Sequence, residues 1–92
     1  MTRIRWTVTA ATDFARIVER IREDNPPAAQ RVARAIYKGV EALGTFPHRG
    51  RAGLAPETRE LVFPPWPYIV VYEVLDDSVQ ILRIRHASQD WP

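Results

Sequence analysis

Apolar and polar positions alternate at the start of the chain, where Ile4, Trp6 and Val8 interleave with Arg3, Arg5 and Thr7. A period of two is that of a half-buried strand. The period then lengthens. Ala11, Phe14, Ile17, Val18 and Ile21 fall on one helical stripe, with Arg16, Glu19, Arg20 and Glu23 on the other side. This predicts an amphipathic helix behind an N-cap at Thr9. Asn25-Pro26-Pro27 ends it, because a residue before proline is pushed out of helical backbone. The same triplet opens a second helix, since asparagine caps well and proline is tolerated in a first turn. Ala29, Val32, Ala33, Ile36, Val40 and Leu43 keep the three-four spacing, and Gly44 stands where a C′ glycine belongs. So short a connection makes the two helices an antiparallel hairpin.

From Gly44 to Glu57 no period survives, and glycines, prolines and the cluster His48-Arg49-Gly50-Arg51 predict a loop. Thr58 to Phe63 reads as a short strand, closed by Pro64-Pro65-Trp66-Pro67, which cannot lie inside a central strand. Tyr68 to Leu75 and Ser78 to Arg85 form a strand pair around Asp76-Asp77, residues that tolerate left-handed backbone. A two-residue turn sets Val74 opposite Val79, Tyr72 opposite Ile81 and Val70 opposite Arg83. One face then carries Tyr68, Val70, Tyr72, Val74, Val79, Ile81, Arg83 and Arg85. The other carries Ile69, Val71, Glu73, Leu75, Gln80, Leu82, Ile84 and His86. Both are apolar at their centres, yet two helices cover only one face of a small sheet. The surplus face calls for loops, an oligomer or a binding partner.

The elements together predict one α+β domain over residues 1–92. Its antiparallel sheet of about four strands carries an α-helical hairpin on one face, in the order β-α-α-β-β-β. A chain of this length buries only about 60–65% of its unfolded surface, so the core is small. Composition narrows the chemistry. There is no cysteine, hence no disulfide framework and no thiolate metal site. His48 and His86 lie far apart with no HxxxH or HExxH spacing, so neither a metal nor another cofactor is expected. No apolar run long enough for a signal peptide or a membrane span follows Met1-Thr2-Arg3-Ile4-Arg5-Trp6, which predicts a cytoplasmic protein. Of the 13 basic residues only Lys38 is a lysine, while the net charge is only +2. Arginine forks suit carboxylates, phosphates and aromatic faces, but a compositional preference for arginine would look the same.

Arg83 and Arg85 are the leading functional candidates, because two arginines on an apolar strand need an acidic or phosphate partner. A salt bridge to Glu41, Glu60 or Glu73 would satisfy one of them without any function. His86 has the side chain best suited to proton transfer near neutrality, although bonding a backbone carbonyl at the strand end would also account for it. His86, Ser88 and Asp90 are too close in sequence to converge as a serine triad. His48-Arg49-Gly50-Arg51 is either a phosphate-binding loop, its backbone N–H groups exposed, or a solvated one. Trp66 and Trp91 could stack on a base or a partner, while Trp66 among its prolines also suits a cover for a core edge.

The order of elements, with Thr58-Arg59-Glu60-Leu61 ahead of Pro67-Tyr68-Ile69-Val70-Val71-Tyr72, resembles the RelE/ParE family of bacterial toxins. The segment Ile81-Leu82-Arg83-Ile84-Arg85-His86-Ala87-Ser88-Gln89-Asp90-Trp91-Pro92 is similar to that family's "HGAQDWP"-like ending. Trp6, Asp13-Phe14, Phe46-Pro47 and Gly50-Arg51 are supporting marks. The resemblance implies the toxin of a type II toxin–antitoxin pair, silenced by a cognate antitoxin that lays a helix and an extended segment over it. It also implies one of two targets: ParE-like members act on DNA gyrase, and RelE-like members cut mRNA on the ribosome.

RelE-like nucleases place an arginine just before an "LVY"-like triplet, where this chain has Ile69. They also carry a basic residue and a tyrosine or histidine in the tail, where this chain has Gln89 and stops at Pro92. The pattern favours the gyrase-directed branch, with no chemistry of its own. Should it be an enzyme, a metal-independent endoribonuclease would draw on Arg59, Arg83, Arg85 and His86. Residues expected to meet antitoxin or target are Arg49, Arg51, Arg59, Ile69, Val71, Arg83, Arg85, His86 and Trp91. A third reading is a toxin-fold remnant that binds its antitoxin and helps repress their operon.

Overall fold

A computed structural model describes residues 2–88. Seven elements follow one another: β1 (Arg3–Trp6), α1 (Val8–Asp24), α2 (Pro26–Ala42), β2 (Arg51–Ala52), β3 (Thr58–Phe63), β4 (Trp66–Val74) and β5 (Ser78–His86). They form the expected α+β fold, a helical hairpin against one sheet, with five strands in the order β1-β5-β4-β3-β2. The extra strand is β2, two residues inside the segment read as loop, paired antiparallel with β3 through Arg51 and Glu60. The sheet is also mixed, because β1 runs parallel to β5 from Arg3 opposite Ser78 to Trp6 opposite Ile81.

Thr7, not Thr9, caps α1. It is the single residue between β1 and α1, and it serves both. Its N–H donates to Ile81 O (3.0 Å), extending the strand pairing. Its Oγ1 donates to the same carbonyl at 2.9 Å and accepts from Ala10 N–H at 3.0 Å, satisfying a first-turn donor that the helix cannot. Asn25 joins the helices as predicted: its N–H donates to Ile21 O, and its Oδ1 accepts from Ala28 N–H at 3.2 Å. At the far end of α2 the expected left-handed glycine is not found, since no described glycine has positive φ. The helix instead tightens, with Leu43, Gly44 and Thr45 N–H groups donating three residues back. The carbonyl of Gly44 accepts from Thr2 N–H (2.8 Å), tying the helix end to the start of β1.

Val32, Ile36 and Val40 from α2, Leu43 at its C-cap and Ala10 from α1 meet Leu61, Phe63, Val70, Tyr72, Val79, Ile81 and Ile84 from the sheet in one buried cluster. Mid-helix Gly39 is explained by this packing, because a Cβ there would collide with the Phe63 ring. Trp66 packs against the cluster's edge, as its proline surroundings suggested. It opens β4 rather than belonging to the turn, so that strand begins two residues earlier than expected. Its Pro67 sits near the strand start, where a missing N–H is tolerated. The Asp76-Asp77 turn is closed by Leu75 N–H donating to Ser78 O (2.8 Å), and neither aspartate adopts positive φ.

The hairpin register holds as predicted from Val74 opposite Val79 to Tyr72 opposite Ile81, and then shifts. A bulge at Leu82 puts Arg83 opposite Val71 and Ile84 opposite Val70, replacing the expected Val70–Arg83 pair. One inserted residue exchanges the faces beyond it. Ile84 enters the core, while Arg83 and Arg85 move to the face opposite the helices. His86, opposite Tyr68, goes to the helix side. Burying Ile84 in place of two guanidinium groups is the physical reason for the shift.

Candidate functional site

Two clusters of the candidate residues emerge, one on each side of the sheet. On the face away from the helices, Glu60, Ile69, Val71, Arg83 and Arg85 stand on adjacent strands. Ile69 and Val71 are 5% and 1% exposed, so the centre of the surplus apolar face inferred from sequence is covered, while Val62 and Leu75 at its margins stay exposed. Glu60, itself 4% exposed, lies between two arginines. Arg51 approaches its Oε1 at 3.0 Å from β2, and Arg85, 7% exposed, approaches its Oε2 at 3.3 Å from β5. The anticipated glutamate partner is therefore Glu60, and it holds Arg85. A carboxylate bonded on both oxygens by guanidinium groups offsets its own burial.

Arg59, a candidate for binding phosphate, turns to the other side and works on the backbone. Its Nη1 donates to Gly50 O (2.8 Å) and to His48 O (3.2 Å). Beside it, Tyr72 Oη donates to Pro47 O (2.9 Å) and accepts from Gly50 N–H (2.8 Å). The two side chains clamp the loop that carries His48 and Arg49, leaving Arg49 exposed on its surface beside exposed Phe46. Gly50 has to be glycine, because a Cβ there would lie 2.7 Å from Tyr72 Oη and 2.8 Å from Glu60 O. Burial pushes the Tyr72 phenol above the ordinary 10.0, against the opposing pull of the Gly50 N–H and of Arg59 and Arg49. Neutral phenol is thus the form the fold uses.

The second cluster lines an open cleft of about 610 Å³ between α1 and the far end of the β4–β5 hairpin. Beyond Ile81, β5 has no β1 neighbour, and α1 takes over its edge. Asp13 Oδ2 accepts from Ile84 N–H at 3.0 Å, and its carboxylate meets Arg83 at 3.4 Å. Arg16 and Arg20, one turn apart on α1, line the same cleft with Tyr68, His86 and Ser88. The rings of Tyr68 and His86 meet edge to face, 5.7 Å between centroids. His86 Nδ1 accepts from Ser88 N–H at 3.1 Å, with Ser88 Oγ at 2.7 Å. In the neutral ring the proton is then on Nε2.

The geometry thus brings together Arg51, Ile69, Val71, Arg83 and Arg85 on one face. It separates them from Arg59 and Arg49 at the clamped loop and, Arg83 excepted, from the cleft that His86 lines. Trp91, Gln89 and Asp90 lie outside the described residues. Sequence reasoning passed over Asp13, Arg16, Arg20 and Tyr68 as site residues. The one available signal was a pair of like charges four residues apart on α1, a spacing that is mildly unfavourable on a helix without a counter-ion.

Comparison with known proteins agrees along almost the whole chain. A family model described as the ParE toxin of the type II toxin–antitoxin system, parDE, matches residues 4–91. A protein named as toxin Y4kP from Sinorhizobium fredii is 44% identical over 90 residues, covering 98% of this chain and 93% of that protein. Toxin RelE2 of Caulobacter vibrioides is 40% identical over 89 residues, covering 97% and 99% respectively. Among solved structures, a chain from the chromosomal ParDE system of P. aeruginosa superposes with a TM-score of 0.85. It is 27% identical and covers 96% of this chain and 98% of its own. From the five-stranded sheet with its helical hairpin to these matches, the observations have one outcome: the chain belongs to the ParE toxin family, and is a type II toxin of the wider RelE/ParE group.

Proposed function

We propose that this toxin acts in the cytoplasm by binding DNA gyrase and blocking growth, as ParE-like members do, and that a cognate antitoxin neutralises it. The observation that carries this reading is Ile69. At the position where RelE-like nucleases present an arginine, an aliphatic side chain is buried at 5% exposure. The nearby cations are engaged in structure, Arg85 and Arg51 with Glu60, and Arg59 with loop carbonyls. The likeness to a chain of a ParDE system supports the same branch and the antitoxin partner.

A second reading, ribosome-dependent mRNA cleavage in the RelE manner, is favoured by the name of the Caulobacter relative and by a histidine of defined tautomer beside Arg83. The two separate on induction of the toxin without antitoxin, with gyrase supercoiling assayed and mRNA ends mapped in parallel. The gyrase reading predicts lost supercoiling and intact mRNA. Codon-positioned cuts that fall about 10²-fold in rate with His86→Ala would establish the nuclease instead.

A further inference from the structure

We infer that the cleft between α1 and the β4–β5 hairpin binds a phosphate ester, either a nucleotide or one step of a single nucleic-acid strand. The charge arrangement is the first reason. Arg16, Arg20 and Arg83 border one space, and its only carboxylate among the described lining residues, Asp13, is committed to Ile84 N–H and Arg83. Glu19, the acidic residue between Arg16 and Arg20, pairs with Arg22 instead. Among the described residues, Arg16 and Arg20 have no counter-ion. Two like charges one helical turn apart repel, and an anion set between them removes that cost.

The donor types are the second reason. Guanidinium forks present paired N–H groups to phosphate oxygens, which a lysine cannot do. The third is the wall. The Tyr68 ring, edge to face with His86, sits beside these cations, the combination of ring and arginine that holds a base next to its phosphate. A volume of about 610 Å³ suits one nucleotide-sized group. An acidic peptide would use the charges but would find little apolar surface, because Ile17 and Ile84 are the only aliphatic side chains among the described lining residues. The site is independent of the gyrase reading and lies across the sheet from Ile69.

The test uses the full-length chain at low salt, with four probes: inorganic phosphate, AMP, a labelled ten-nucleotide single strand and a glutamate-rich peptide. Arg16→Ala/Arg20→Ala is expected to weaken AMP or strand binding at least tenfold. For the strand it should also flatten the salt dependence by about 0.7 in log–log slope, the value for the one phosphate contact removed. Arg16→Lys/Arg20→Lys, which keeps the charge and removes the forks, should recover part of the affinity. Tighter AMP than strand binding would identify a free nucleotide as the source, and the reverse a nucleic-acid backbone. Folding is not at risk, since alanine is the better helix former and the repulsion is removed. The alanine pair should melt at or above the parent temperature. No binding of any phosphate probe, binding indifferent to both arginines, or arginine-dependent binding of the peptide alone would overturn the assignment.

Discussion

The arginines that the fold holds and those that line the cleft are chemically identical and physically opposite. Arg85 and Arg51 enclose Glu60, and Arg59 is bonded to two loop carbonyls. Each of these cations satisfies polar groups that the fold has withdrawn from water. Arg16 and Arg20 are exposed along a cleft whose carboxylate is already used. An arginine held by its own fold stabilises the toxin; an arginine left facing a cleft is available to something else. Arg83 stands at the boundary, reaching from the far face around the edge of β5 to Asp13.

The largest expected effect lies on the held side. Glu60→Ala strands the buried Arg85 without its carboxylate and should cost about 3–5 kcal/mol of unfolding free energy, measurable by urea denaturation. The double change Glu60→Leu/Arg85→Met should recover most of that loss, because it removes both buried charges. If Glu60→Ala alone proved neutral, the division into held and open arginines would fail.

Tyr72→Phe comes next. It leaves Gly50 N–H and Pro47 O without their partner, so a loss of about 1–3 kcal/mol is expected. Its pH signature is specific. The folded phenol titrates above the ordinary 10.0, so its contribution is complete below pH 10 and is lost as pH rises through the folded value. The wild type should therefore lose stability in alkali with a slope that Tyr72→Phe lacks, seen in thermal melts from neutral pH upward.

The smallest effects belong to the boundary. Asp13→Ala removes the acceptor of Ile84 N–H as well as the charge facing Arg83, and should cost about 1–2 kcal/mol. Asp13→Asn keeps an acceptor, and because the Arg83 side chain is 41% exposed, losing the ion pair itself should cost under about 1 kcal/mol. Equal losses in the two variants would mean that the ion pair, rather than the captured strand edge, holds α1 against β5.

Much of this molecule follows from local rules. The period of two in β1 and of three to four in both helices is a direct consequence of which side chains avoid water. Asn25 with its prolines could only break one helix and start another. The ordered marks from Trp6 to the closing hairpin were enough to suggest the toxin family. The candidate site was less legible. Its arginines were visible as residues, but whether each was held or open depended on neighbours distant in the chain: Glu60 lies 25 residues from Arg85, and Asp13 lies 70 from Arg83.

The bulge at Leu82 shows why. A period of two carries no memory of where one residue is inserted, so the sequence pattern continues as though the register were unbroken. Only packing against the helices, which prefers Ile84 over Arg83 in the core, places that insertion. It thereby decides which β5 arginine meets Glu60 and which face carries His86. Local periodicity settles the elements, because each side chain's choice between water and core is made within a few residues. The chemistry of the site is settled in three dimensions, because a charge is defined by its partners, and these come from elsewhere in the chain.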